Sequence, residues 1–230
     1  MDVGFFADLL KIIIINLVLS GDNAIVIALA SRNLPDLQRK KAIGYGTLGA
    51  VVLRILLTFV VVWILKIPFL MVIGGLLLVW ISYKLLVNKE ENVDIKAGAN
   101  LFQAVQTIIV ADLVMSLDNV LAVAAAAKGN FWLLVIGIAL SIPIIVWGST
   151  LILKLIEKYP AIIYIGAGIL AYTAGEMLIS DKNIEKWVHA IPGSHYLIPI
   201  LTAVVVLAVA FAVNRRERGP VKQEGVSNTP

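Results

Sequence analysis

Cysteine is absent from the 230 residues, histidine occurs twice, and only 15% of positions are charged. Without cysteine there is no disulfide, thiolate zinc site, iron–sulfur cluster or cysteine nucleophile. The scarcity of charge excludes an ordinary soluble domain, in which about 25% of residues are charged. Apolar residues fill the space instead: 60% of the chain is hydrophobic and mean hydropathy is +0.95. Stretches 42–53, 55–65, 67–83, 97–111, 129–153, 159–175 and 187–214 carry no charged residue. Runs approaching 20 residues cross a hydrocarbon layer of about 30 Å as helix. The expected class is therefore all-α, a polytopic membrane protein. No short apolar leader with a cleavage site precedes the first span, so no signal peptide is expected.

Apolar runs and turn signals together give seven transmembrane helices, near 10–31, 43–65, 68–87, 102–127, 131–154, 160–179 and 196–213. Polar breaks such as "RNLPDLQRKK" and "NKEENVDIKAG" separate them. The transmembrane domain is expected over 1–214, followed by a disordered cytoplasmic tail, 215–230. Thirteen Lys and Arg residues fall on one side of this topology and four on the other. Positive residues stay on the cytoplasmic side. The expected location is thus the cell membrane, multi-pass, with the N-terminus outside and the C-terminus cytoplasmic.

The chain repeats itself. Asn16, Ser20, Asp22 and Asn23 recur at an offset of 96 as Asp112, Ser116, Asp118 and Asn119. "KIPFLMVIGGLLLVWISYKLL" (66–86) resembles "KYPAIIYIGAGILAYTAGEML" (158–178), placing Lys84 opposite Glu176. Repeat one covers about 10–87, repeat two about 102–179, and an extra helix, 196–213, is appended. Units of three spans cross the membrane in opposite senses. Such inverted repeats put substrate near the midplane of many transporters.

The repeated polar residues lie inside the spans. A carboxylate at mid-bilayer costs about 2.5–3.5 kcal/mol or more, and is tolerated beside a cavity, a partner or an ion. Asp22, Asp112 and Asp118 outnumber the one deep cation, Arg54, so the local excess is negative. Asn16, Ser20 and Asn23 follow i, i+4, i+7 spacing on one helical face, as do Asp112, Ser116 and Asn119. Asp22 and Asp118 point about 100° away from their neighbouring Asn, by the rotation per residue. A local helix break would let all of them converge. Gly21 favours a break in span 1; Leu117 gives span 4 no such help. Carboxylate, amide, hydroxyl and carbonyl oxygens form a hard ligand set suited to Mg²⁺, Ca²⁺ or Mn²⁺.

The expected metal ligands are Asp22, Asn23, Asp118, Asn119 and Asp112. Asn16, Ser20, Ser116, Arg54, Glu176 and Lys84 stand behind them as supporting or coupling groups. Arg54 either neutralises the empty site or pairs structurally with an acid. Lys84 and Glu176, near opposite membrane faces, are snorkelling or gating groups. Bare interhelical hydrogen bonding is the competing reading of the Asp-Asn pairs. The glycines of "IGYGTLG" (43–49) and "IGAGIL" (165–170) read as packing surfaces, since no strand precedes them and no Lys-Ser/Thr follows. ATP hydrolysis by this chain is not expected.

With "SGDNA" in span 1, "SLDNV" in span 4 and seven spans, the sequence resembles the TerC family, in its short single-module branch. The likeness runs to about residue 213. It implies duplicated three-helix units like those of the LysE-type exporters, and manganese(II) efflux. Other branches are named for tellurite resistance or tied to membrane-protein assembly. The motif carries over onto Asp22, Asn23, Asp118 and Asn119, with Asn16 and Asp112 beside them. The expectation is a divalent-cation exporter, not an enzyme, working by alternating access with Mn²⁺ as substrate and no cofactor. The choice of Mn²⁺ and the export direction come from the resemblance alone. Metal displacing protons from the acids would couple export to a pH gradient. The partners implied are a divalent metal ion and the lipid bilayer, not nucleic acid; a homo-oligomer is left open. Two alternatives compete: an assembly factor acting through partners, and, further off, an intramembrane aspartyl protease. For the protease, Leu19-Ser20-Gly21-Asp22 lacks the first glycine of Gly-x-Gly-Asp.

Overall fold

The computed structural model describes residues 3–64, 66–87, 97–127, 130–184, 188, 190–191 and 193–217. The side chains of 3–5, 7, 62, 97–99, 118, 124 and 216–217 are outside that description. The described helices are α1 (Val3–Leu19), α2 (Gly21–Ser31), α3 (Asp36–Ile64), α4 (Leu70–Val87), α5 (Ala97–Ala126), α6 (Phe131–Lys158), α7 (Ile162–Ile179) and α8 (Ser194–Glu217). Six are long and apolar enough to cross a membrane; α1 and α2, bent by 49° at their break, pass the same test only as a pair, giving up to seven candidate spans. The chain is a polytopic α-helical membrane protein.

Several helices outrun the expected spans. Counting apolar residues finds only the part in hydrocarbon, whereas helix continues into the polar interface. At 29 residues, α3 is about 44 Å long, well beyond a 30 Å hydrocarbon layer. It takes Asp36, Lys40 and Lys41 into its first turns and starts directly after Pro35, whose carbonyl accepts from Arg39 N–H. Asn130 caps α6 by accepting from Leu133 N–H at 3.1 Å, and the same helix ends ahead of Pro160. The last helix runs through Glu217, three residues into the tail expected to be unstructured; 218–230 lie outside the described residues.

The break in span 1 falls at Ser20, between α1 and α2. Steric need for glycine is not its cause. Gly21 has no left-handed φ, and a Cβ there would meet nothing within 4 Å. Its low helix propensity contributes instead. Across the equivalent stretch α5 is unbroken, Leu117 included.

α3 lies chiefly against α5, and α6 against α1 and α2; α4 lies against α7, and α8 covers α7 and α4. One apolar core joins Val26, Ile27 and Ala28 of α2, Leu78 and Ile81 of α4, Ile108 and Val114 of α5, and Leu170 and Ala174 of α7. Glycines let the helices approach. An added Cβ would press on Ile108 at Gly46, on Ile109 at Gly49 and on Ile25 at Gly166. Gly44 has open space, so the packing role expected of that stretch holds for two of its three glycines. Large apolar side chains such as Val18, Trp63, Trp147 and Ile165 cover the outside, as lipid contact requires.

Candidate functional site

The polar positions of the two repeats meet around one arginine. Arg54 projects from α3 and is 5% exposed. Its Nε donates to Ser116 Oγ at 2.9 Å, and Nη1 donates to Asn16 Oδ1 at 2.9 Å and Ser20 Oγ at 2.7 Å. Nη2 donates to Asp112 Oδ1 at 2.5 Å, completing an ion pair. A guanidinium offers five N–H donors in a fixed fork, and these bonds use most of them. A buried ion pair tolerates its desolvation only when its remaining donors are satisfied. Here they are, by neutral oxygens from both halves. Asn16 and Ser20 sit four residues apart beside the break; Asp112 and Ser116 sit four apart on α5.

The neighbours knit this centre to α2 and α6. Asn23 Nδ2 donates to the same Asp112 Oδ1 at 2.7 Å. Asn16 Nδ2 donates to Ser141 Oγ of α6 at 2.5 Å, and Ser141 Oγ donates to the Ile138 carbonyl at 2.6 Å. Every direct oxygen contact of Arg54 is thus itself braced from a second element or one helical turn away.

The helix break exposes backbone groups that span 4 answers. In an unbroken helix the Leu19 carbonyl would accept from Asn23 N–H. That N–H instead donates to the Ser20 carbonyl at 3.1 Å. The freed Leu19 oxygen accepts from Asn119 Nδ2 at 2.9 Å. At the start of α2 the Asp22 carboxylate lies against the backbone N–H groups of Asp22 and Asn23, a favourable place for negative charge. Asp22 Oδ1 and Asn23 Oδ1 are buried and have no hydrogen-bond partner.

Beside Arg54 lies a cavity of about 20 Å³, lined on its polar side by Asn16, Asn23, Thr47, Arg54, Asp112 and Ser141. That volume accommodates about one water. Thr47 Oγ1 is a further buried oxygen with no partner.

Of the residues expected from sequence, Asn16, Ser20, Asn23, Arg54, Asp112 and Ser116 come together, with Asp22 and Asn119 at the adjoining break. The side chain of Asp118 lies outside the described residues. Among those described, no group of three or more His, Asp or Glu side chains is arranged to hold a metal ion. The two outlying charges do not join the centre. Lys84 sits in the last turn of α4 with Nζ 5.0 Å from the Trp80 ring centroid. Glu176 is exposed on α7, in hydrogen-bond contact with Tyr172. Ser141 and Thr47 were not expected. A serine in an apolar helix ordinarily bonds back to its own turn, so sequence alone does not mark it.

A bundle of long apolar helices around a buried polar centre defines an integral membrane protein. The description "Integral membrane protein TerC family" matches residues 1–218. The chain belongs to the TerC family. It is 46% identical over 218 residues to "Uncharacterized membrane protein YjbE" of Bacillus subtilis (strain 168), covering 95% of this chain and 100% of that one. It is 28% identical to "Uncharacterized membrane protein YceF" of the same strain, covering 90% and 82%. It is 22% identical to "UPF0053 inner membrane protein YgdQ" of Escherichia coli (strain K12), covering 75% and 80%. No solved structure matches.

Proposed function

We propose that this protein exports a divalent cation across the cytoplasmic membrane, with Mn²⁺ as substrate, by alternating access of two inverted repeats. The observation that carries this reading is the buried cluster of oxygen acceptors gathered around Arg54 at the helix break. Its acceptors come from repeat-equivalent positions, and Asp22 Oδ1 and Asn23 Oδ1 there lack partners. A buried acceptor without a partner costs about 1–3 kcal/mol, a cost that a bound cation removes. Oxygen donors of this kind suit a hard divalent ion.

The packing supports the inverted repeat. Exchanging α1/α2 with α5, α3 with α6 and α4 with α7 turns the α3–α5 contact into the α6–α1/α2 contact and leaves α4–α7 unchanged. A two-fold relation between the units has this property. Asp22, Asn23 and Asp112 would take the ion with Asp118 and Asn119, and the units would rock about it. The N-terminus lies outside and the C-terminus inside in this reading, and the chain has no enzymatic role.

The test is cellular metal content. A strain lacking the gene should accumulate Mn²⁺ and become Mn²⁺-sensitive. The wild-type gene should reverse this, and Asp22→Asn or Asp112→Asn, each present in the membrane, should not. Unchanged Mn²⁺ content and tolerance in the deletion strain would refute the export reading and favour an assembly factor.

A further inference from the structure

Arg54 stands where a cation would be held. Its partners are oxygens of Asn16, Ser20, Asp112 and Ser116, and the two pairs are repeat-equivalent. The guanidinium therefore bridges the two halves through contacts of the kind a hard metal ion makes. Resting on the export reading, we propose that Arg54 is an exchangeable internal counter-ion. Its guanidinium occupies the polar centre in the cation-free state and leaves Asp112 when a divalent cation enters.

Charge makes the two occupants exclusive. Among the described residues, Arg54 pairs directly with one carboxylate, Asp112. A divalent ion at Asp112 Oδ1 would need the acceptor that the guanidinium already holds, and would face that guanidinium across a few ångströms in a buried space. Repulsion between charges is far stronger there than in water. Space points the same way, because the adjoining cavity holds about one water and no more.

The structure also holds a place for the displaced guanidinium. Thr47 lines the cavity with Arg54, and its Oγ1, which is not among the proposed cation ligands, is buried without a partner. Thr47 lies seven residues before Arg54 on α3, about 10 Å along the axis. Side chains on a helix lean toward its N-terminus, which is the direction of Thr47. Entry of the group into this cavity requires Val26, Ile27 and Ile108 to give way, since they form its apolar wall. Cation binding is thereby tied to the packing of α3 on α2 and α5, the contacts that rearrange when two units rock.

The experiment is Mn²⁺ binding by equilibrium dialysis, with the full-length protein in detergent and the same preparations used for Mn²⁺ flux in proteoliposomes. Arg54→Gln removes the competing charge. It should bind Mn²⁺ about fivefold or more tightly than wild type, the lower end of ordinary coupling between sites, and lose flux. Guanidinium ion added to Arg54→Gln should weaken Mn²⁺ binding, and should do so much less in wild type. Arg54→Lys keeps the charge but loses the fork; a gain in affinity smaller than that of Arg54→Gln is expected, and this variant decides the matter if Arg54→Gln does not fold. Equal or weaker binding by the folded variants, with wild type binding and transporting Mn²⁺, would overturn the exchange while leaving the export reading intact. Absence of both binding and flux in wild type would overturn both.

Discussion

Asn119 Nδ2 donates to the Leu19 carbonyl oxygen at 2.9 Å, so a side chain of the second Asp-Asn motif satisfies the backbone that the first motif's helix break leaves open. The two motifs are not parallel copies of one device. The first supplies a bent backbone and the second, on unbroken α5, supplies the side chain that steadies it. Replacing Asn119 with Ala should leave the part-buried Leu19 oxygen without this donor, costing about 0.5–1.5 kcal/mol. Thermal unfolding in detergent measures this; an unchanged midpoint would mean that the carbonyl finds another donor.

Arg54 and Asp112 form a buried ion pair, and removing one member strands the other. Asp112→Asn and Arg54→Gln should each destabilise the cation-free protein by about 3–5 kcal/mol. The double variant should fall well short of the sum, because neither charge is then stranded. A double-mutant cycle on unfolding midpoints reads the coupling. Additive losses would show that the pair contributes little.

Asp181 follows α7, outside the spans, and is buried. Burial pushes its carboxyl up. Hydrogen bonds from Asn183, side chain and backbone, and from the Val72 and Met71 backbone at the start of α4, outweigh that and hold it below the usual carboxylate range. A depressed folded value means that its stabilisation is fully present above the unfolded value, about 3.9. It is lost as pH falls through the folded value. Wild type should therefore be more stable than Asp181→Asn at neutral pH, with the difference closing below about pH 4. Unfolding midpoints across pH test this; a constant difference would contradict it.

Gly175 faces α8, where an added Cβ would sit 2.5 Å from Pro199 Cα. Backbone yields less readily than a side-chain tip. Gly175→Ala should cost about 1–3 kcal/mol through overpacking and loosen α8, whereas Gly44→Ala should cost nothing comparable. Limited proteolysis of the loop before α8 and the unfolding midpoint report both effects; equal behaviour of the two variants would remove the steric account.

The spans and the face shared by Asn16, Ser20 and Asn23 were legible because hydrophobic run length and helical period act locally; Gly21 only favoured the break that falls at Ser20. Whether α5 would break at Leu117 was left open by the sequence, since convergence of the polar groups called for a break and Leu117 gave it no help; α5 is continuous there. The centrality of Arg54 was not. A single arginine in an apolar run does not reveal which helix its face meets, and the packing of α3 on α5 decides that. Ser141 and Thr47 were hidden because a hydroxyl can bond within its own helix. Lys84 and Glu176 attracted attention by repeat position, yet neither lines the cavity. The Asp181 link to α4 depends on contact between residues more than one hundred positions apart.

The most direct test of the central claim is Mn²⁺ flux into or out of proteoliposomes bearing the purified full-length protein, with Asp22→Asn beside it. The account predicts flux above protein-free liposomes for wild type and none for Asp22→Asn, although the variant folds and inserts. Flux through Asp22→Asn equal to wild type, or none through correctly folded wild type, would contradict it.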